Sequence, residues 1–232
     1  RLSNDGSLDD QKLASLTIEA LERLPDTADE LISIANTLGA NPDDDVYLGS
    51  RASEKLVKSM ELSDRRTIAF ASHALVPYDL DGLNQPAIAL SAPAVTGEED
   101  DGLLTMAEIL DLKLNADWVI LSACNTGAAE GAGAEAVSGL GRAFFYAGTR
   151  ALLVSMWPVE SISAKTLTTS LFRHMKNDPG LTKAQAHQRA ILDLIEGPDL
   201  RDAEGRIVAS YAHPFFWAPF IVVGDSSVTN SN

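Results

Sequence analysis

The stretch Asp117-Trp-Val-Ile-Leu-Ser-Ala-Cys-Asn-Thr-Gly127 decides how the chain reads, because an apolar run in it ends on the only cysteine of the 232 residues. Trp118, Val119, Ile120 and Leu121 are apolar at consecutive positions, the habit of a strand buried on both faces and so of a central strand in a parallel sheet. Asn125, Thr126 and Gly127 then break the run. Cys124 therefore stands where strand gives way to loop at the carboxyl edge of a sheet, the edge along which open α/β folds gather their sites.

Two further runs behave the same way. Thr67-Ile-Ala-Phe-Ala-Ser72 leads into His73, and Ala151-Leu-Leu-Val-Ser155 leads into Met156-Trp-Pro158. Pro86-Ala-Ile-Ala-Leu-Ser91 and Phe215-Phe-Trp-Ala-Pro-Phe-Ile-Val-Val223 read as two more strands. Helical patterns lie between them. Thr27 and Glu30 have capping-box spacing ahead of a face made by Leu31, Ile34, Ala35 and Leu38, with Gly39 as the stop. Thr105 with Glu108 and Thr182 with Gln185 repeat that spacing. Further helices are expected over about 52 to 60, 135 to 146 and 164 to 175. Strands alternating with helices imply an α/β sandwich with a mostly parallel sheet.

Composition narrows the functions open to such a chain. A hydrophobic content of 45% supplies one sizeable core. Against 33 acidic residues there are 18 basic ones, a net charge of −15, and no local basic patch. That balance opposes nucleic acid and anionic membrane surfaces as partners. No apolar run reaches the roughly 18 residues that span a bilayer, and the start has neither a secretory h-region nor an initiator Met. A cytoplasmic location and a piece of a longer protein are the expectations. One cysteine allows no internal disulfide, which fits a reducing compartment.

A nucleophilic thiol needs a base, since free cysteine is only a few per cent thiolate at neutral pH, and histidine titrates in the right range. His73 is the histidine whose strand delivers it to the same edge, 51 positions upstream of Cys124. Spacing leaves the other reading open: a cysteine at a strand end is also a small buried hydrophobe, and His73 a satisfied structural histidine. His174 and His187 read as residues of solvated helix faces, and His213, before Pro214, as part of a turn. Four scattered histidines and one cysteine offer no ligand spacing, so neither a metal nor a cofactor is expected.

The residues carry more than spacing does. Leu121-Ser-Ala-Cys-Asn-Thr-Gly127, with Ala71-Ser-His-Ala-Leu-Val76 upstream, resembles the CHAT domain, a branch of the caspase-like cysteine peptidases that includes separase and the gingipains. Leu24-Pro-Asp-Thr-Ala-Asp-Glu30, Gly102-Leu-Leu-Thr105, Gly139-Leu-Gly-Arg-Ala-Phe-Phe-Tyr-Ala-Gly148, Ser155-Met-Trp-Pro-Val159 and His213-Pro-Phe-Phe-Trp-Ala-Pro-Phe220 look like that family in the same order. The resemblance covers about residues 24 to 224. Residues 1–23 are expected to be a connecting segment and 225–232 a polar tail.

The resemblance implies a caspase-like three-layer α/β/α sandwich and a bacterial-type cysteine endopeptidase that cleaves a protein or peptide substrate. It implies that His73 assists proton transfer, that Cys124 attacks the scissile carbonyl, and that the backbone N–H groups of Ala74 and Cys124 hold the oxyanion. Many relatives carry Gly where Ala74 stands, a departure that matters if the position requires positive φ. Ser155 and Trp157 become substrate contacts by the same likeness, with core filler the other reading of Trp157. Glu160 either favours a basic P1 side chain or is a carboxylate placed at a helix N-terminus. A helical-repeat or sensor segment outside this chain is the implied partner, and a catalytically silent scaffold is the competing class.

One rival motif is present. Thr126-Gly-Ala-Ala-Glu-Gly-Ala-Gly133 matches the phosphate loop of short-chain dehydrogenases. That family pairs the loop with Tyr-x-x-x-Lys, whereas Tyr47, Tyr78, Tyr146 and Tyr211 are followed four positions on by Arg51, Gly82, Arg150 and Phe215. The nicotinamide reading therefore lacks its catalytic partner.

Overall fold

A computed structural model of the protein describes residues 17–122, 132–157 and 159–228. Among these residues the helices are α1 (Asp26–Leu38), α2 (Pro42–Asp45), α3 (Glu54–Ser59), α4 (Pro93–Thr96), α5 (Met106–Asp111), α6 (Ala132–Ala147), α7 (Ser161–Asn177) and α8 (Lys183–Ile195). The strands are β1 (Thr67–Phe70), β2 (Ala74–Leu75), β3 (Ala87–Ala89), β4 (Leu103–Thr105), β5 (Trp118–Leu121), β6 (Ala151–Ser155), β7 (Leu200–Arg201), β8 (Ile207–Ala209) and β9 (Phe220–Gly224).

The main sheet has the order β1-β5-β6-β9. β1, β5 and β6 are parallel, and β9 returns antiparallel to β6. Burial explains why β5 is apolar at every position. Side chains alternate across a strand, and Val119 and Leu121 meet Leu140 and Phe144 of α6 and Ile109 of α5 on one face. Trp118 and Ile120 meet Ile34 of α1, Leu167 and Phe172 of α7 and Ala190 of α8 on the other. The protein is thus a three-layer α/β/α sandwich around a mostly parallel sheet. A second, antiparallel sheet, β2-β3-β4, grows from the chain just past β1.

Several expectations meet the structure unevenly. The capping boxes at Thr105/Glu108 and Thr182/Gln185 both form, and Gly39 closes α1 with a φ of 81°. The box at Thr27/Glu30 does not form. α1 begins at Asp26, so Thr27 already lies inside the first turn and donates its hydroxyl to the Leu24 carbonyl at 2.7 Å. Glu30 turns into the core instead. The expected strand from Phe215 starts only at Phe220, because a 3-10 turn over Pro214–Phe216 comes first. Pro214 and Pro219 have no N–H to give a ladder, and Phe216 packs edge-on to Tyr211 at 5.0 Å. β2, β4, β7 and β8 were not foreseen.

At the amino edge of the sheet one carboxylate fixes three strands. Arg66, Asp117 and Arg150 each directly precede a parallel strand. Asp117 is buried, pairs with Arg66, and accepts from Arg150 Nη1 at 3.2 Å. Removing it takes a carboxylate from two half-exposed guanidinium groups, and Arg150 keeps its bonds to Asn115, so Asp117→Ala is expected to cost about 2 kcal/mol, below the range for breaking a fully buried pair. Urea denaturation with an unchanged m value checks this, and a midpoint equal to that of the parent chain would show that solvent compensates both arginines.

Candidate active site

The strand register sets the site. Phe70 pairs with Leu121 across β1 and β5, and Leu121 pairs with Val154 across β5 and β6. These three residues form one row across the sheet. His73, Cys124 and Trp157 each stand three residues beyond that row. Neighbouring strands lie roughly 4.8 Å apart, so β1, β5 and β6 leave the sheet at one level. The ladder continues past the row, since Ser122 N donates to the Phe70 carbonyl at 3.0 Å and Met156 N to Pro219 O at 3.0 Å. Cys124, Pro158 and the whole loop of the rival phosphate motif up to Gly131 lie outside the described residues.

His73 is buried, 5% exposed, between β1 and β2. Its carbonyl accepts from Ala89 N at 2.9 Å, and the hydroxyl of Ser72 bonds the Ala89 carbonyl, so β3 holds the backbone on both sides of the ring. The ring Nε2 stands 2.6 Å from the Glu22 carbonyl oxygen. A carbonyl only accepts, so Nε2 carries the proton and Nδ1 is the basic nitrogen of the neutral ring.

Ala74 opens β2, an edge strand. Because His73 and Ala89 are a hydrogen-bonded pair, the alternation of an antiparallel ladder turns the next N–H, that of Ala74, away from β3. Among the described non-glycine residues only Tyr78 has positive φ. Ala in place of Gly at position 74 therefore carries no backbone strain.

On the β6 side, Trp157 is 38% exposed, which removes the core-filler reading. Ser155 is buried, its hydroxyl 3.5 Å from the Leu121 carbonyl. Glu160 caps α7, its two carboxylate oxygens accepting from Ile162 N at 3.0 Å and Ser163 N at 2.8 Å, the favourable position for a negative charge on a helix. His174 bonds Asp193 at 2.7 Å. His187 is half-buried rather than solvated, and desolvation lowers its pKa.

Two groups of this site were not read as such in the sequence: the carbonyl of Glu22, which carries no motif signal, and the carboxyl of Glu30, which reads there as a capping residue. Glu30 is 4% exposed and accepts from Ser122 Oγ at 3.0 Å, beneath the end of β5. Its other oxygen is 3.2 Å from Thr168 Oγ1. That hydroxyl has one hydrogen and also lies 2.9 Å from the Ala164 carbonyl. Thr168 therefore shares its one hydrogen between the Glu30 carboxyl and the Ala164 carbonyl. Burial, opposed by the two hydroxyls, pushes the carboxyl up to about 7.

Fold and site together define an α/β protein in which the ends of β1, β5 and β6 share one sheet edge, with His73 just past the first of them. The chain belongs to the CHAT domain family, whose model matches residues 4–225, and the fold is the caspase-like sandwich of that family. Tetratricopeptide repeat protein 28 of Mus musculus is 26% identical over 237 residues, and that of Homo sapiens 26% identical over 236, in each case over 90% of this chain. The chain spans 9% of the length of either relative. Among the described residues no helix is long and apolar enough to cross a membrane.

The raised pKa of Glu30 has a definite sign. An acid whose folded pKa lies above its ordinary 4.5 contributes stability that is complete below 4.5 and is lost as pH rises through about 7. Glu30→Gln removes that dependence, so its stability relative to the parent chain is expected to rise between pH 5 and pH 8, by at most on the order of 3 kcal/mol. Urea curves of both proteins at the two pH values measure it. A difference that stays flat would mean an ordinary carboxylate.

Proposed function

We propose that the chain is a cysteine endopeptidase domain in which His73 and Cys124 form the catalytic dyad. The observation that carries this reading is the common register row: both residues stand three positions past the paired Phe70 and Leu121 on adjacent parallel strands. The tautomer adds to it, because the Glu22 carbonyl leaves Nδ1 as the nitrogen able to take a thiol proton.

The reaction follows from those groups. His73 Nδ1 takes the proton of Cys124, and the thiolate attacks the scissile carbonyl carbon. The charge moves to the carbonyl oxygen, where the N–H groups of Ala74 and Cys124 donate to it. As the C–N bond breaks, the imidazolium returns its proton to the leaving amine. Water, deprotonated by the same imidazole, then attacks the thioester and restores the thiol. Trp157, exposed at the same level of the sheet edge, walls the substrate, and Ser155 supports it from behind. Glu160 favours a basic P1 residue only if its charge is felt beyond the cap it makes.

The substrate is a protein or peptide. The partner is a helical-repeat segment outside this chain, a reading supported by the name of the two relatives. A cytoplasmic setting agrees with a single cysteine and with the charge.

Three substitutions check this. A thiol-directed acyloxymethyl ketone is expected to label Cys124, and His73→Ala to slow labelling by 10²-fold or more, within the usual contribution of a base. Ala74→Pro deletes an N–H that no ladder bond uses, and is expected to lower kcat by about 10²-fold with KM little changed. Glu160→Gln is expected to relax a preference for basic P1 residues, read from a panel of peptide substrates. Labelling of Cys124 indifferent to His73, with no turnover of any peptide, would instead make the fold a protein-interaction scaffold.

A further inference from the structure

Two polar contacts of the site come from one short piece of chain. Glu22 supplies the carbonyl that holds His73 Nε2 at 2.6 Å, and eight residues later Glu30 supplies the carboxyl that accepts from Ser122 at 3.0 Å. Ser122 is the second residue before Cys124. The same piece has an apolar seat. Ile18 and Leu21 pack with Leu103 against Leu75, Ala87 and Ala89 of the small sheet, the sheet whose edge strand starts at Ala74. The fit there is close: a Cβ built on Gly102 would meet Ile18 Cδ1 at 2.9 Å.

We infer that residues 18–30 are a strap that holds the two halves of the site in register, with Glu30 as a positioning residue, so that lifting the strap disarms the site. The inference rests on the dyad reading and adds its regulation. Three anchors make the case. Ile18 and Leu21 fix the strap to the β2-β3-β4 sheet, the Glu22 carbonyl fixes the His73 tautomer, and α1 locks Glu30 under β5. On the packed helices, Lys165 of α7 faces Asp29 of α1 at 3.8 Å. Ser122 and Thr168 are the groups that meet its oxygens. One consequence separates a strap from ordinary packing. Loosening Ile18 and Leu21, whose apolar seat is the small sheet, releases the ring.

The test uses the whole chain and two readouts. Alkylation of Cys124 by iodoacetamide is followed by intact mass, and the tautomer of His73 is read from its ring nitrogen shifts by NMR, in the parent chain, Glu30→Ala, Glu30→Gln, His73→Ala and the double variant Ile18→Ala/Leu21→Ala. Circular dichroism confirms folding of each. The strap predicts alkylation about tenfold slower in Glu30→Ala and about fivefold slower in the double variant, with the double variant's His73 shifting from pure Nε2–H to a tautomer mixture. Glu30→Gln, which keeps the shape and a hydrogen-bonding group, is expected to react at least threefold faster than Glu30→Ala. Folded variants that react at the parent rate with an unchanged tautomer would overturn the strap. If alkylation ignores His73→Ala, the dyad reading fails. The strap then stands if the ring shifts in the double variant and falls if it does not.

Discussion

Parallel pairing of β1, β5 and β6 is the constraint on which the remaining structure depends. A parallel ladder admits no tight turn between its strands, so each must be re-entered through a helix or a longer excursion, and those excursions supply both outer layers. The register of the three strands is held at their amino ends by Asp117 between Arg66 and Arg150 and along their length by the buried row Phe70, Leu121 and Val154. A one-residue slip would invert every side chain of β5 between the α6 face and the α7 face. Since both faces are apolar, the cost would come from shape, with Trp118 and Phe172 losing their edge contact at 6.1 Å. The carboxyl edge inherits this precision, because His73, Ser122 and Trp157 follow within three residues of the row.

The site also places a carboxyl in the core on α1. Glu30 could have served as a solvent-facing cap residue at a few tenths of a kcal/mol benefit, yet it reaches inward to two hydroxyls. Its desolvation is tolerable because the carboxyl titrates near neutrality, at about 7, and so is not held as a full charge. The helix thereby gains a directional contact with the end of β5 that apolar packing alone does not supply.

Much of the fold was legible because the signals were periodic or chemical. The run Trp118–Leu121 is apolar on both faces and so identified a central strand. Thr105/Glu108 and Thr182/Gln185 identified helix starts because an N-cap side chain and a third-position carboxylate or amide satisfy each other locally. The identical spacing at Thr27/Glu30 misled, since a tertiary demand on Glu30 outweighed the local bond. Strands β2 and β4 escaped notice because two or three residues cannot show alternation, and β7–β8 because Ile207 and Val208 are exposed. For the candidate site, His73 and Trp157 were legible as residues at strand ends, and Ala74 only through the family resemblance. The carbonyl of Glu22 was not, since every residue has one and only the path of the chain aims it.

That last contact determines which kinds of variation the molecule can absorb. The Glu22 side chain is exposed while its backbone holds the ring, so exchange of the side chain leaves the contact intact and the position is chemically anonymous. What the fold cannot absorb is a change of length between the apolar seat at Leu21 and the first turn of α1. One residue added or lost there moves the carbonyl by about 3.5 Å along the chain, further than a hydrogen bond stretches. The His73 ring is thus governed by spacing rather than by identity at its nearest neighbour, a dependence that substituting residues one at a time leaves hidden and that an insertion or deletion exposes.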